Sequence, residues 1–82
     1  MTRDEVYEKL TGIFRKVFDD DQIVIDDMTT AGDIEDWDSF EHINLMCAVE
    51  DAFLFKMSME QALTLKNVGE IVDIILEKEG NK

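Results

Sequence analysis

The chain has 82 residues, enough for one domain at most, with a core only marginally able to offset the conformational entropy lost on folding. Its 45% hydrophobic residues are ordinary for a globular protein, but 20 acidic residues against 8 basic ones leave a formal charge of −12. That charge repels nucleic-acid phosphates and anionic lipid surfaces, excluding both as partners and leaving basic protein surfaces.

No apolar run approaches the roughly 18 residues that would span a bilayer. The opening "MTRDEVYEKL" is amphipathic and acidic, unlike a secretory leader, so a cytoplasmic protein without membrane insertion, acting as a monomer, is expected. Cys47 is the only cysteine, which rules out an internal disulfide and a multi-thiolate metal site. Its neighbours Leu45, Met46, Ala48 and Val49 predict a buried thiol behaving as a small apolar side chain.

In chain order, Thr2 and Glu5 have capping-box spacing, and Val6, Leu10, Ile13, Phe14, Val17 and Phe18 form one stripe at helical period. A first helix is predicted from Thr2 to about Phe18, with Gly12 a small local cost. From Asp19 to Trp37 the pattern breaks into acids, Thr29, Thr30 and Gly32. The run Ile23 to Ile25 has no second strand to pair with, so a long ordered loop is expected, pinned by Ile23, Val24, Ile25, Met28 and Ile34.

A second helix should begin near Asp38 or Ser39, since Asp38 and Glu41 have capping spacing. Phe40, Ile43, Met46, Val49 and Phe53 form its apolar stripe, widened by Leu45 and Cys47, and Glu41, Asn44, Glu50 and Asp51 take the wet side. Ser58 with Gln61 caps a short segment containing Met59, Ala62, Leu63 and Leu65. Asn67 with Glu70 caps a last helix through Val68, Ile71, Val72, Ile74, Ile75 and Leu76, which Gly80 would stop. The predicted fold is an all-α small four-helix bundle, three longer helices plus one short, with the long loop between the first two.

The residues argue against catalysis. His42 follows Ser39 by three positions, within reach on a helix, but no glycine-rich elbow surrounds the serine and so small a bundle encloses little. His42 is expected as a lone exposed histidine on the wet face. His42 and Cys47 would sit about 140° apart around a helix, a poor thiolate-imidazole geometry. The acidic runs "DDDQIVIDD" and "DIEDWD" fail as calcium loops, because required ligand positions fall on Ile23, Val24 or Trp37. Ser39 could instead be a point of attachment, since a helix N-terminus favours a phosphodiester there. The alternative, an ordinary capping serine, is the role assigned to Ser58.

The stretch "DIEDWDSFEHINLMCAVEDAF" resembles the carrier motif of acyl carrier proteins, in which Asp-Ser followed by a large apolar residue opens the second helix and Glu-x-x-Phe comes near its end, here Glu50 and Phe53. The resemblance covers nearly the whole chain, including the closing "LKNVGEIVDIILEK". It implies a carrier and not an enzyme. Ser39 would receive 4′-phosphopantetheine from coenzyme A through a phosphopantetheinyl transferase, and the arm's thiol would hold acyl groups as thioesters.

By position in the motif, Asp36, Asp38, Glu41, Glu50 and Asp51 would dock basic patches on acyl-activating, acyl-transferring or condensing enzymes. Phe40, Ile43, Met46, Cys47, Leu65, Ile71 and Ile75 could shelter a short acyl chain, although plain core packing is the role expected of each. The pathway would be fatty-acid, lipid or secondary-metabolite synthesis; an aminoacyl or peptidyl carrier and an acidic helical adaptor are the alternatives. Asp36 and Trp37 in place of the usual small pair, Phe40 after the serine, and Asn44 and His42 in the helix point to a specialised stand-alone carrier. Trp37 could shield the arm, meet a partner, or close the loop onto the core.

Overall fold

A computed structural model describes residues 1–80. Among them the elements are α1 (Arg3–Val17), a single 3-10 turn (Ala31–Asp33), α2 (Ser39–Phe53), α3 (Met59–Thr64) and α4 (Val68–Gly80), with no strand. The expected all-α bundle of three longer helices and one short one is what forms. The expectation that Gly80 stops α4 reaches beyond the described residues.

Capping chemistry decides where the helices begin. The Thr2 hydroxyl accepts from the Glu5 amide while the Glu5 carboxylate accepts from the Thr2 amide, completing the capping box of α1. Asp38, Ser58 and Asn67 accept from the amides of Glu41, Gln61 and Glu70, at 2.8, 3.0 and 2.9 Å. Each thereby satisfies one of the donors a helix N-terminus leaves unpaired.

Val6, Leu10 and Phe14 of α1 meet Leu45, Met46, Val49 and Phe53 of α2 and Val68, Ile71, Val72 and Ile75 of α4 in one buried cluster. Lys9 ties α1 to the end of α2 by donating to the Ala52 carbonyl at 2.7 Å. Leu54 ends α2 in the left-handed region with φ 57°, and its side chain is exposed.

The long loop is ordered, but not by all the residues expected to pin it. Ile23 and Ile25 are buried and Ile34 is partly so, whereas Val24 and Met28 are 80% and 77% exposed. Ile23 to Ile25 run in alternation, turning two side chains in and Val24 out. Short polar side chains do the rest. Asp20 accepts from the Gln22 amide, Asp26 from the Met28 amide, and the Thr29 hydroxyl accepts from the Asp26 amide, all at 2.9 Å. The loop then docks on the start of α4, where the amides of Val68 and Gly69 donate to the carbonyls of Thr29 and Asp27 at 2.9 and 3.1 Å. Arg3 adds ion pairs at 2.8 Å to Asp27 of the loop and Asp73 of α4, and the Tyr7 hydroxyl also donates to Asp27.

Two predictions follow from this packing. A Cβ added at Gly69 would lie 2.9 Å from the Asp27 carbonyl oxygen, while one at Gly12 meets nothing within 4 Å. Gly69→Ala should therefore lower unfolding free energy by up to about 2 kcal/mol, because backbone crowding outweighs the gain in helix propensity. Gly12→Ala should raise it by roughly 0.5 to 1 kcal/mol. Urea unfolding of both variants checks the opposite signs.

Burial, with the hydrogen bond to Asp27 second, pushes the Tyr7 phenol up to about 12 from 10.0. The fold thus favours the neutral phenol, and that contribution is intact below the unfolded value and lost as pH rises through about 12. The melting temperature of the wild type should fall more steeply between pH 10 and 12 than that of Tyr7→Phe, a contrast absent at neutral pH.

Candidate functional site: the mouth of the bundle at Ser39

The site is built by Trp37. Its indole is 5% exposed, edge-on to Phe14 with ring centroids 5.3 Å apart and tilted against Phe18 at 6.2 Å. Of the roles open to Trp37, closing the loop onto the core is the one the geometry displays. Asp38 follows as the N-cap of α2, and Ser39 is its first helical residue.

Because Asp38 caps the helix, Ser39 does not. Its side chain is exposed and makes no hydrogen bond among the described residues. The hydroxyl stands on an open cleft of about 410 Å³ lined by Ala31, Trp37, Asp38, Ser39, His42, Leu63 and Leu65. A free hydroxyl, two apolar leucines and the unpaired amides of the first helical turn suit a phosphate-linked chain better than a capping role. Ser58 is the capping serine expected of it.

His42 differs from its expectation. It is half-buried, not a free histidine on a wet face, because α3 folds back over that side of α2. The Trp37 indole N–H donates to His42 Nδ1 at 3.0 Å, the rings lie within 15° of parallel, and Nε2 sits 2.7 Å from the Ala62 carbonyl oxygen. With both nitrogens engaged, the imidazole has no free position from which to act as a base toward Ser39.

Cys47 is exposed, contrary to the buried thiol expected, since its helical position falls outside the face of α2 that meets α1 and α4. Phe40 is 73% exposed for a related reason: it lies in the first turn of α2, past the end of the packed stripe. The seven residues suggested for an acyl pocket are not gathered into one space. Ile43, Met46 and Cys47 line the seam between α2 and α3, Leu65 borders the cleft at Ser39, and Ile71 and Ile75 are sealed in the core.

The five suggested docking acids divide likewise. Asp36 and Asp38 closely precede Ser39 in sequence, and Glu41 lies in the same first turn of α2 with its carboxylate accepting from Asn44 at 3.3 Å. Glu50 is eleven residues beyond Ser39, about 16 Å along the helix, and its carboxylate accepts from the Met57 amide at 2.8 Å. Asp51 lies on a different groove, beside Ile13, Lys16 and Val17 of α1. No cluster of His, Cys, Asp and Glu suited to a metal ion occurs among the described residues, and no helix there is long and apolar enough to cross a membrane. Sequence periodicity gave no signal for the Trp37–His42–Ala62 arrangement, whose members are five and twenty residues apart.

No protein-family model matches the chain, and no curated protein matches it. Among solved structures it is similar to the solution NMR structure of a holo acyl carrier protein from Geobacter metallireducens, at 41% sequence identity and a TM-score of 0.84, over 92% of this chain and 86% of that one. The helix order, the free serine at the mouth and this likeness over nearly the full length agree: the chain belongs to the acyl carrier protein family. It is accordingly a carrier protein, one that bears a group for enzymes instead of transforming it.

The capping assignment is open to direct test. Asp38→Ala should cost about 0.5 to 2 kcal/mol of stability, whereas Ser39→Ala should lie within about 0.5 kcal/mol of wild type. Chemical denaturation of the two variants measures the difference; a Ser39 cost equal to that of Asp38 would restore the capping reading.

Proposed function

We propose that the protein carries acyl groups on a 4′-phosphopantetheine arm attached to Ser39, and delivers them to partner enzymes in the cytoplasm. The observation that carries this reading is the exposed, unbonded Ser39 hydroxyl at the start of α2, facing an apolar-walled cleft in a member of this family. When bound, the arm supplies a terminal thiol that holds the acyl group as a thioester. The residues of the chain supply the rest: Trp37 fixes the loop so that Ser39 points outward, Asp38 rigidifies the helix start, and Leu63 and Leu65 offer the arm an apolar wall.

The negative surface would steer the carrier toward basic patches on a phosphopantetheinyl transferase and on acyl-activating, acyl-transferring or condensing enzymes. Asp36 and Glu41, within three residues of Ser39, are the stronger candidates for direct docking, since the adjacent Asp38 is committed to the Glu41 amide. Glu50 is committed to the Met57 amide, and Asp51 faces the α1 groove. Trp37 and His42, which build the mouth here, support a specialised stand-alone carrier within fatty-acid, lipid or secondary-metabolite synthesis.

Incubation with coenzyme A and a competent transferase should add one phosphopantetheinyl mass to the wild type and to Ser58→Ala, and none to Ser39→Ala. Intact-mass spectrometry reads the outcome, and an unmodified wild type in a reaction that modifies a control carrier would overturn the reading.

A further inference from the structure

We propose that His42 is a positioning residue for the modification of Ser39: it supplies the acceptor that keeps the Trp37 indole seated, and through the indole it fixes where the serine hydroxyl stands. The consequence for modification rests on the carrier reading above; the seating itself does not.

An indole has one polar atom, which can only donate. Trp37 is 5% exposed, so its N–H needs a partner within the protein, and a buried donor left without one is costly. Phe14 and Phe18, against which the ring packs, carry no polar side-chain atom. The partner is His42, whose Nδ1 accepts at 3.0 Å with the two rings 15° from parallel.

Ala62 of α3 makes that acceptor available. A carbonyl oxygen only accepts, so Nε2, 2.7 Å from it, carries the ring hydrogen, and the neutral imidazole then presents a bare lone pair at Nδ1. The loop, α2 and α3 thus meet at one side chain.

Trp37, Ser39 and His42 border the same cleft. Without the imidazole, the indole N–H could be satisfied only by turning the ring toward water in that cleft. Asp38 alone separates Trp37 from Ser39, so a turned ring shifts the helix start that Asp38 caps, and the hydroxyl with it. In the transfer, Ser39 Oγ bonds to the phosphorus that carries the pantetheine, and the bond from that phosphorus to its bridging oxygen breaks. The adenosine bisphosphate of coenzyme A leaves with the electron pair, and the serine proton passes to a base on the transferase. Such a displacement is sensitive to where the attacking oxygen is held. His42 acts on it only through the indole, since both ring nitrogens are engaged elsewhere.

The test uses the unmodified protein, coenzyme A and a phosphopantetheinyl transferase. His42→Ala should lower kcat about tenfold and leave KM within about twofold of wild type, since the acids beside Ser39 are untouched. His42→Asn puts a carboxamide oxygen near the place of Nδ1 but is too short to reach Ala62; it should recover kcat to within about threefold of wild type. In a Trp37→Phe background, which has no N–H to satisfy, adding His42→Ala should change kcat by less than about twofold. Wild-type kcat in His42→Ala, a loss confined to KM, no recovery in the Asn variant, or equal losses in the two backgrounds would overturn the proposal.

Hydrogen exchange of the Trp37 indole N–H, followed by NMR, reads the seating without any transferase. It should be about tenfold faster in His42→Ala than in wild type, with the core amides of α1 unchanged. Equal indole exchange in the two proteins, or a rise shared with those amides, would overturn the seating. A wild type that never accepts the arm would overturn the carrier reading together with the consequence drawn for Ser39, and leave the exchange result standing.

Discussion

The burial of one indole two residues before an exposed serine is the constraint on which the mouth of this bundle depends. Trp37 packs against Phe14 of α1 and Phe18 just past its end, and withdrawing so large a side chain from water is worth several kcal/mol. The loop end has almost no freedom once the ring is seated. Asp38 must then start the helix and Ser39 must face outward. The free hydroxyl is a consequence of core packing, enforced from the inside.

The high acid content reads differently once the hydrogen bonds are known. Glu5, Asp20, Asp26, Asp33, Asp38, Glu50 and Glu70 each accept from a backbone amide. Such charge-assisted bonds are stronger than neutral ones, and at helix starts they also complement the macrodipole. A chain without proline, carrying a long irregular connection, uses carboxylates to satisfy backbone donors that a regular element would have paired internally. Part of the −12 charge is thus structural in origin, and the self-repulsion it brings is offset locally.

The helices were legible because their starts are local chemistry. Four pairs at three-residue spacing, Thr2 with Glu5, Asp38 with Glu41, Ser58 with Gln61 and Asn67 with Glu70, mark helix starts in the sequence and cap helices in the fold. Side-chain exposure was less legible, since a helical stripe tells which residues share a face but not how far a neighbouring helix covers it. Phe40 and Cys47 lie where that cover ends. Val24 failed as an anchor because an apolar residue in extended chain is turned inward or outward by its place in the alternation, which the composition does not reveal, and Met28 because it lies in a turn closed by hydrogen bonds from the Met28 and Thr29 amides to Asp26. Gly69 and His42 were opaque for a third reason: each is explained by a carbonyl from a distant part of the chain, Asp27 for one and Ala62 for the other.

The same division bears on how an acidic carrier distinguishes partners. A carboxylate that caps a backbone amide still contributes to the long-range field that speeds encounter, because that field depends on charge and not on orientation. It cannot also form a close ion pair with a partner's arginine without weakening the bond that holds its own fold. Asp38 and Glu50 are in this position, while no described bond occupies the Asp36 carboxylate. Attraction can therefore be spread over the whole surface while close recognition is confined to the few acids beside Ser39 that the fold does not require.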